Sequence, residues 1–142
     1  MKTVTQIDLS MKNEPGALSQ VSDLLGANGI NIIAFYVFTE KETGKLHFVA
    51  NDPEKARNIL KTAGYDIDTK EVIACETPNH PGGMNAVLKP LRAANINVDT
   101  IYPCIGTKDI TVLVLGISPI EKALQILEDN WIRTLGEELY HM

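Results

Sequence analysis

The residues of this chain best placed to do chemistry lie at two short corners, Asn13-Glu14-Pro15-Gly16 and Asn79-His80-Pro81-Gly82. Each stands between a stretch of alternating polarity and a stretch of helical periodicity, with Ala17 and Leu18 following the first and Gly83 and Met84 the second. Proline fixes φ and surrenders an N–H that a first helical turn leaves unpaired anyway, and glycine has no side chain to bar a ligand from the backbone. The free N–H groups of such a turn point outward and, with the helix dipole, favour an anion, a carboxylate as readily as a phosphate. The same residues also suit a tight strand-to-helix turn with no ligand. Gly82-Gly83 implies a more open second corner than Gly16-Ala17, and hence two inequivalent sites.

Little else in the chain has the spacing that chemistry needs. No Walker Lys-Ser/Thr follows the glycines, there is no GxGxxG, and no nucleophile stands beside a base. Asp99, Asp109 and Glu137-Glu138 match no general acid/base or metal-ligand pattern and read as solvated. Cys75 and Cys104, 29 positions apart (104 − 75), have no second thiol or histidine at ligand spacing and read as buried free thiols. His80 is either a surface loop residue or a ligand contact, whereas His47 and His141 read as structural or solvated. No catalytic residue, metal or cofactor is expected.

The elements that position the corners come from an internal repeat. NEPGALSQVSDLLGANGINI and NHPGGMNAVLKPLRAANINV align without gaps at an offset of 66 (79 − 13), and the register carries on to Tyr36 with Tyr102 and Pro53 with Pro119. In the first copy TVTQIDLS alternates as a strand, Leu18, Val21 and Leu25 form a helical stripe, GINIIAFYVFT and KLHFVAN flank a turn at KETG, and YDIDTKE closes the unit. Asp52 is the expected N-cap of a second helix starting at Pro53, with Ala56, Ile59, Leu60 and Ala63 on its stripe and Gly64 as its stop. In the second copy Met84, Val87, Leu88, Leu91 and Ala94 share one helical face and Ile120, Ala123, Leu124, Leu127 and Trp131 another. Ser118 and Glu121 read as a capping box, and TLGEELYHM as the last strand.

The order βαββαβ, twice, predicts an α+β fold of two ferredoxin-like units, residues 1–69 and 70–142, each an antiparallel four-stranded sheet with its helices on one face. Strand order 4-1-3-2 puts the second strand at an edge, which suits Pro103, while the matching Val37 leaves the first copy's edge free to pair. DITVLVLGIS is apolar on both alternating sets, so both of its faces should be covered, by the sister unit or by another chain. Association of the two halves, and of two chains into a homodimer, is expected.

Bulk composition narrows the function classes. With 142 residues, 44% apolar and 22% charged, the chain has the make-up of a folded soluble protein. No apolar run reaches the roughly 18 residues of a membrane span, and MKTVTQIDLSMK alternates instead of forming a signal-peptide core, so a cytoplasmic protein is expected. The net charge of −5 divides evenly between the halves, and neither offers the basic face that nucleic acid requires.

The two quoted passages resemble the ACT domain: a polar residue, any residue, Pro-Gly, a helix with Leu and Val, then Gly-hydrophobic-Asn-Ile before the second strand. The resemblance spans both halves and looks like a free-standing tandem ACT protein with no catalytic domain attached. It implies a regulatory module that binds an amino acid or similar small metabolite where two ACT units meet side by side through sheet edges, and that acts on a metabolic enzyme. Carried over, the ligand-binding positions are Asn13, Glu14, Pro15, Gly16, Ala17, Leu18 and Asn31 in one half. In the other they are Asn79, His80, Pro81, Gly82, Gly83, Met84 and Asn97. An Asn amide accepts from an ammonium and donates to a carboxylate, which suits a zwitterion. Asn31 and Asn97 are equally suited to capping a helix end or opening a strand. Some serine-binding members carry a histidine where this chain has Met11 and Thr77, so serine is not singled out.

Two readings compete with a ligand sensor. A ligand-independent module would bind a partner protein through the free edge of the first half. An acylphosphatase-like hydrolase on the same sandwich needs an arginine in the loop before the first helix, and SMKNEPG and TPNHPG have none.

Overall fold

A computed structural model describes residues 2–142, which divide into two compact units, Thr5–Lys70 and Glu71–Met142, the latter together with the first residues up to Val4. In the N-terminal unit the chain runs β1 (Val4–Lys12), α1 (Ala17–Ala27), β2 (Ile32–Glu40), β3 (Thr43–Ala50), α2 (Pro53–Thr62) and into β4 (Asp66–Thr77). Strand β3 pairs antiparallel with both β1 and β2, matching Lys12 to Thr43, Ile7 to Phe48 and Tyr36 to His47, so β2 is the edge. The period-two alternation places Ile7, Leu9, Leu46 and Phe48 on one face, where they pack with Val21 and Leu25 of α1 and Ala56 and Leu60 of α2. Asp52 caps α2, accepting from the Lys55 N–H at 3.1 Å, and Pro53 opens the helix as expected. Leu18 departs from its stripe: it lies in the first turn of α1 and is 42% exposed.

The C-terminal unit continues through β4 to α3 (Asn85–Ala93), β5 (Val98–Pro103), β6 (Thr111–Ile117), α4 (Ile120–Asp129), β7 (Thr134–Leu135) and a 3-10 turn at Glu137–His141. Its strands lie in the order β5-β6-β4-β7, all antiparallel, with β5 and its Pro103 at the edge. Ile73, Cys75 and Leu115 pack there against Val87, Leu91, Leu124 and Leu127, and every residue from Val112 to Ile117 is buried.

Five further expectations change. The strand closing the first repeat and the one opening the second are a single uninterrupted β4, so the described residues form seven strands and not two sets of four. DIDTKEVIACET holds neither glycine nor proline, and nothing in it breaks a strand. The last strand, expected across TLGEELYHM, is only Thr134–Leu135. Buried Leu135 ends that strand, and buried Leu139 lies in the 3-10 turn that follows at Glu137–His141.

The repeat's register also shifts by one residue. Ile7 pairs with Phe48 and Ile73 with Leu115, so the offset is 66 in the first strand of each copy (73 − 7) but 67 in the third (115 − 48). The extra residue lies in the connection after β5. Val37 meets Leu46 nine positions on, and Pro103 meets Leu113 ten positions on. Pro119 therefore takes the place of the cap Asp52 and not of Pro53. It has no side-chain acceptor, and the Ser118–Glu121 capping box does not form. At the other end of α4 the left-handed position held by Gly64 (φ 90°) in α2 falls to Trp131 (φ 61°), which leaves the core stripe and stands 95% exposed.

Candidate functional site

At the first corner the chain leaves β1 at Lys12 and is tied to the β2–β3 turn. The Asn13 N–H donates to the Glu42 carbonyl at 2.9 Å, and Asn13 Nδ2 donates to the Lys41 carbonyl at 3.0 Å. Gly16 (φ 87°) is the N-cap residue of α1, in a conformation that disfavours any side chain, and no atom comes within 4 Å of where a Cβ would sit. The Ala17 N–H donates to the Glu14 carbonyl at 3.3 Å and the Gln20 N–H to the Gly16 carbonyl at 2.9 Å. The N–H groups of Leu18 and Ser19 find no acceptor among the described residues. Glu14, Pro15 and Leu18 are exposed around this open helix end, and beside it lies a hollow of about 590 Å³ lined by Lys12, Glu14, Ala17, Gln20 and Tyr65, among others. The arrangement offers donors for a carboxylate and, in Glu14 and the free Oδ1 of Asn13, acceptors for an ammonium.

The second corner is closed, contrary to the expectation drawn from its two glycines. Gly83 is buried, and a Cβ there would lie 2.0 Å from the Pro78 carbonyl oxygen and 3.0 Å from that of His80. The missing side chain thus accommodates the chain's own backbone. Buried Thr77 seals the turn by donating its hydroxyl to the Gly83 carbonyl at 2.9 Å. The N–H groups of Gly83, Asn85 and Ala86 donate to the carbonyls of His80, Gly82 and Gly83 at 2.8, 3.0 and 3.1 Å, so most of the turn's donors are already used. Helix α3 consequently starts two residues later than α1 does in its repeat, leaving Met84 as N-cap and 46% exposed. Asn79 and Pro81 are exposed, and so is His80, whose Nδ1–H donates to the Pro81 carbonyl at 3.0 Å.

Asn31 and Asn97 are not near these corners within their own units. The Asn31 N–H donates to Asn51 Oδ1 at 2.9 Å, beyond the Ala50 end of β3, whereas Asn13 sits beyond its Thr43 end. Seven strand steps of about 3.3 Å separate those ends by roughly 23 Å. Likewise Asn97, which donates to Asp99 at 3.1 Å, precedes Val98 opposite Ile117, while the second corner follows Thr77 opposite Thr111 at the other end of β6.

A model of the ACT domain pair matches residues 2–140. The chain belongs to the ACT domain pair family. No curated protein matches this ACT pair. Among solved structures it is similar to a Bacteroides thetaiotaomicron protein at 24% identity and TM-score 0.91, over 99% of this chain and 97% of that one. The ligand-free regulatory subunit of aspartate kinase from Thermus thermophilus shares the fold at 13% identity and TM-score 0.65, over 92% of this chain and 93% of that one. The corresponding subunit from Thermus flavus matches at 15% identity and TM-score 0.59, over 92% and 94%.

Elsewhere in the ACT pair the described residues hold no group of three or more His, Cys, Asp or Glu placed to bind a metal, and no helix long and apolar enough to cross a membrane. Cys75 and Cys104 are free thiols, each pushed up to about 12 by burial. Sequence reasoning missed Lys12, Gln20 and Tyr65 around the hollow, since they come from three elements. The Gly64 stop before Tyr65 was the one available signal.

It also missed a cluster on the other face of the N-terminal sheet. His47 Nδ1 lies 2.8 Å from Asp8 Oδ1, buried Gln6 donates to the same carboxylate at 2.6 Å, and the Tyr36 ring stacks on the imidazole at 4.7 Å. Burial lowers the His47 pKa, against the opposing pull of Asp8 and with help from Lys70 and Lys45. The unfolded histidine, at about 6.5, then binds protons that the folded one refuses, so stability rises with pH across that window. Urea midpoints should fall between pH 7.5 and 5.5 in the wild type and fall less in His47→Gln.

Proposed function

We propose that this ACT pair is a cytoplasmic sensing module that binds an amino acid or a closely related zwitterion at the first corner, and that a second chain completes the site. The observation that carries the reading is the open start of α1, where Leu18 and Ser19 present unpaired N–H groups beside a hollow. The position of Asn31 supports the second chain. It lies at one end of the edge strand β2, and the corner lies at the other. Antiparallel pairing of two β2 edges would bring Asn31 of one copy beside the Asn13–Gly16 corner of the next, twice over by symmetry. Exposed Phe35, Val37 and Phe38 on β2 suit such a contact.

Bound ligand would then favour the paired arrangement and change affinity for a metabolic enzyme, with coupling of about 1–3 kcal/mol typical of such linkage. The aspartate kinase regulatory subunits among the similar folds support the regulatory part of this reading. The units are proposed to act as residues 1–69 and 70–142, with the second corner silent.

A thermal-shift screen of the twenty amino acids tests it. A ligand at about 100 times its Kd stabilises by roughly 2.7 kcal/mol. Leu18→Glu should keep or raise the melting temperature of the free protein, because an acid in the first turn suits the dipole, and should remove the ligand's shift. No stabilisation by any amino acid at millimolar concentration would overturn the reading.

A further inference from the structure

A helix that closes on a left-handed turn takes glycine or asparagine at the residue beyond its cap, where a Cβ is unfavourable. Helices α1, α2 and α3 do so, with Gly29, Gly64 and Asn95 at φ 73°, 90° and 60°. Helix α4 instead has Trp131 there, at φ 61° and 95% exposed. The turn itself is complete, since the Trp131 N–H donates to the Glu128 carbonyl at 3.1 Å and the Ile132 N–H to the Leu127 carbonyl at 3.0 Å. Folding gains nothing from this indole, yet the closed turn fixes the backbone that carries it and leaves the ring in water.

Beside the ring lies a hollow of about 420 Å³ with Pro78, Ala86 and Ile132 in its wall and Glu76 and Arg133 at its side. The Glu76 N–H donates to the Arg133 carbonyl at 2.9 Å, so adjacent backbones hold the two charges in register. Their side chains meet only at 3.4 Å, with 33% and 58% of their surfaces still in water. A pair that long and that wet is weak, and each charge can take a second partner. One small patch therefore carries a projecting aromatic ring, an apolar hollow able to receive such a ring, and a charge of each sign. Those features are complementary to a copy of themselves, which is the condition for a two-fold contact.

We propose that the patch around Trp131 docks on the same patch of a second chain, each indole entering the other copy's hollow and Arg133 of each copy facing Glu76 of the other. Tryptophan and arginine commonly dominate the centres of interfaces, and a ring on a fixed turn loses little freedom when it is buried. The surface is small, so the contact is a weak one. It lies within the C-terminal unit, is separate from the β2 edge, and does not rest on the reading of the first corner. Chains that use both surfaces would join edge-paired dimers into larger assemblies.

Trp131 is the chain's single tryptophan, so its emission reports the contact directly. The full chain carrying Val37→Pro, which blocks the β2 edge as Pro103 blocks β5, isolates it. Raised from about 1 μM to about 1 mM, that chain should shift its emission to the blue, resist acrylamide quenching and sediment increasingly as a dimer, as a small and weak interface requires. Trp131→Gly in the same chain should melt no lower and stay monomeric throughout. Arg133→Glu opposes glutamates across the axis and Glu76→Arg opposes arginines, so each variant alone should associate at least about tenfold more weakly. An equal mixture of the two should associate at least as tightly as the parent, because every glutamate then faces an arginine of the other chain. A role confined to one chain cannot produce that rescue. Emission unchanged up to about 1 mM, a Trp131→Gly chain that associates as well as its parent, or a mixture no tighter than either variant alone overturns the proposal. So does an emission already blue at about 1 μM and indifferent to dilution, which would mean that the chain covers its own indole.

Discussion

Gly83→Ala is expected to destabilise the C-terminal unit by about 3 kcal/mol, whereas Gly82→Ala, one residue earlier, should cost only about 1 kcal/mol. The new methyl at 83 would stand 2.0 Å from the Pro78 carbonyl oxygen, and backbone cannot swing aside as a flexible side chain can. Relief requires the turn to open, which breaks the 2.8 Å bond from the Gly83 N–H to His80 and the 2.9 Å bond from Thr77 to the Gly83 carbonyl. Each buried bond is worth about 1 kcal/mol, with residual overpacking on top. At Gly82 the space is empty and the only penalty is a side chain at φ 79°. Urea midpoints of the two variants, read by circular dichroism, decide the matter, and equal losses would refute the packing account. The contrast bears on the proposed function, in which the second corner is silent and the amino acid binds at the first.

What could be foreseen from sequence follows from which interactions are local. The middles of the α2 and α3 stripes, the Asp52 cap, the edge position of Pro103 and the alternation of β1 and β3 depend on residues a few positions apart and hold, while Ala63 and Met84 at the stripe ends are exposed. The ACT signature is local too, and it led to the right family. Readings failed where the answer lay in non-local geometry. Pro53 and Pro119 coincide in type, which hid a one-residue insertion and with it the capless start of α4 and the placement of Trp131. Periodicity carried Trp131 onto the stripe of Leu127, but the helix ends at Asp129 and the left-handed turn redirects the side chain. Two adjacent glycines announce a missing side chain, and only the fold reveals that the Pro78 carbonyl fills the gap. Asn31 sits in the signature beside the corner residues, yet a whole strand's length separates them in space.

Val37→Pro should leave the N-terminal unit folded while abolishing both edge association and amino-acid binding at the first corner. The second repeat has already performed this substitution. Pro103 occupies the place of Val37, facing Leu113 as Val37 faces Leu46, and the neighbouring Cys104 N–H donates inward to Val112 at 2.9 Å. Donors alternate along an antiparallel ladder, so the N–H at Val37 points away from β3, toward the free edge. Proline there should cost the unit no more than about 1 kcal/mol, while the lost donor and the ring's bulk weaken pairing by about 2 kcal/mol, roughly 30-fold in Kd. Sedimentation should show Val37→Pro as a monomer at concentrations where the wild type associates, and its ligand-induced stabilisation should vanish in step, since Asn31 of a second chain no longer arrives. Leu18→Glu supplies the complementary case, retaining the edge while losing the ligand. If Val37→Pro binds the amino acid as tightly as the wild type, one chain holds a complete site and the edge is not part of it. If the wild type pairs through β2 with unchanged strength whether or not ligand is present, pairing is not the element that the ligand biases, and β2 is a docking edge only.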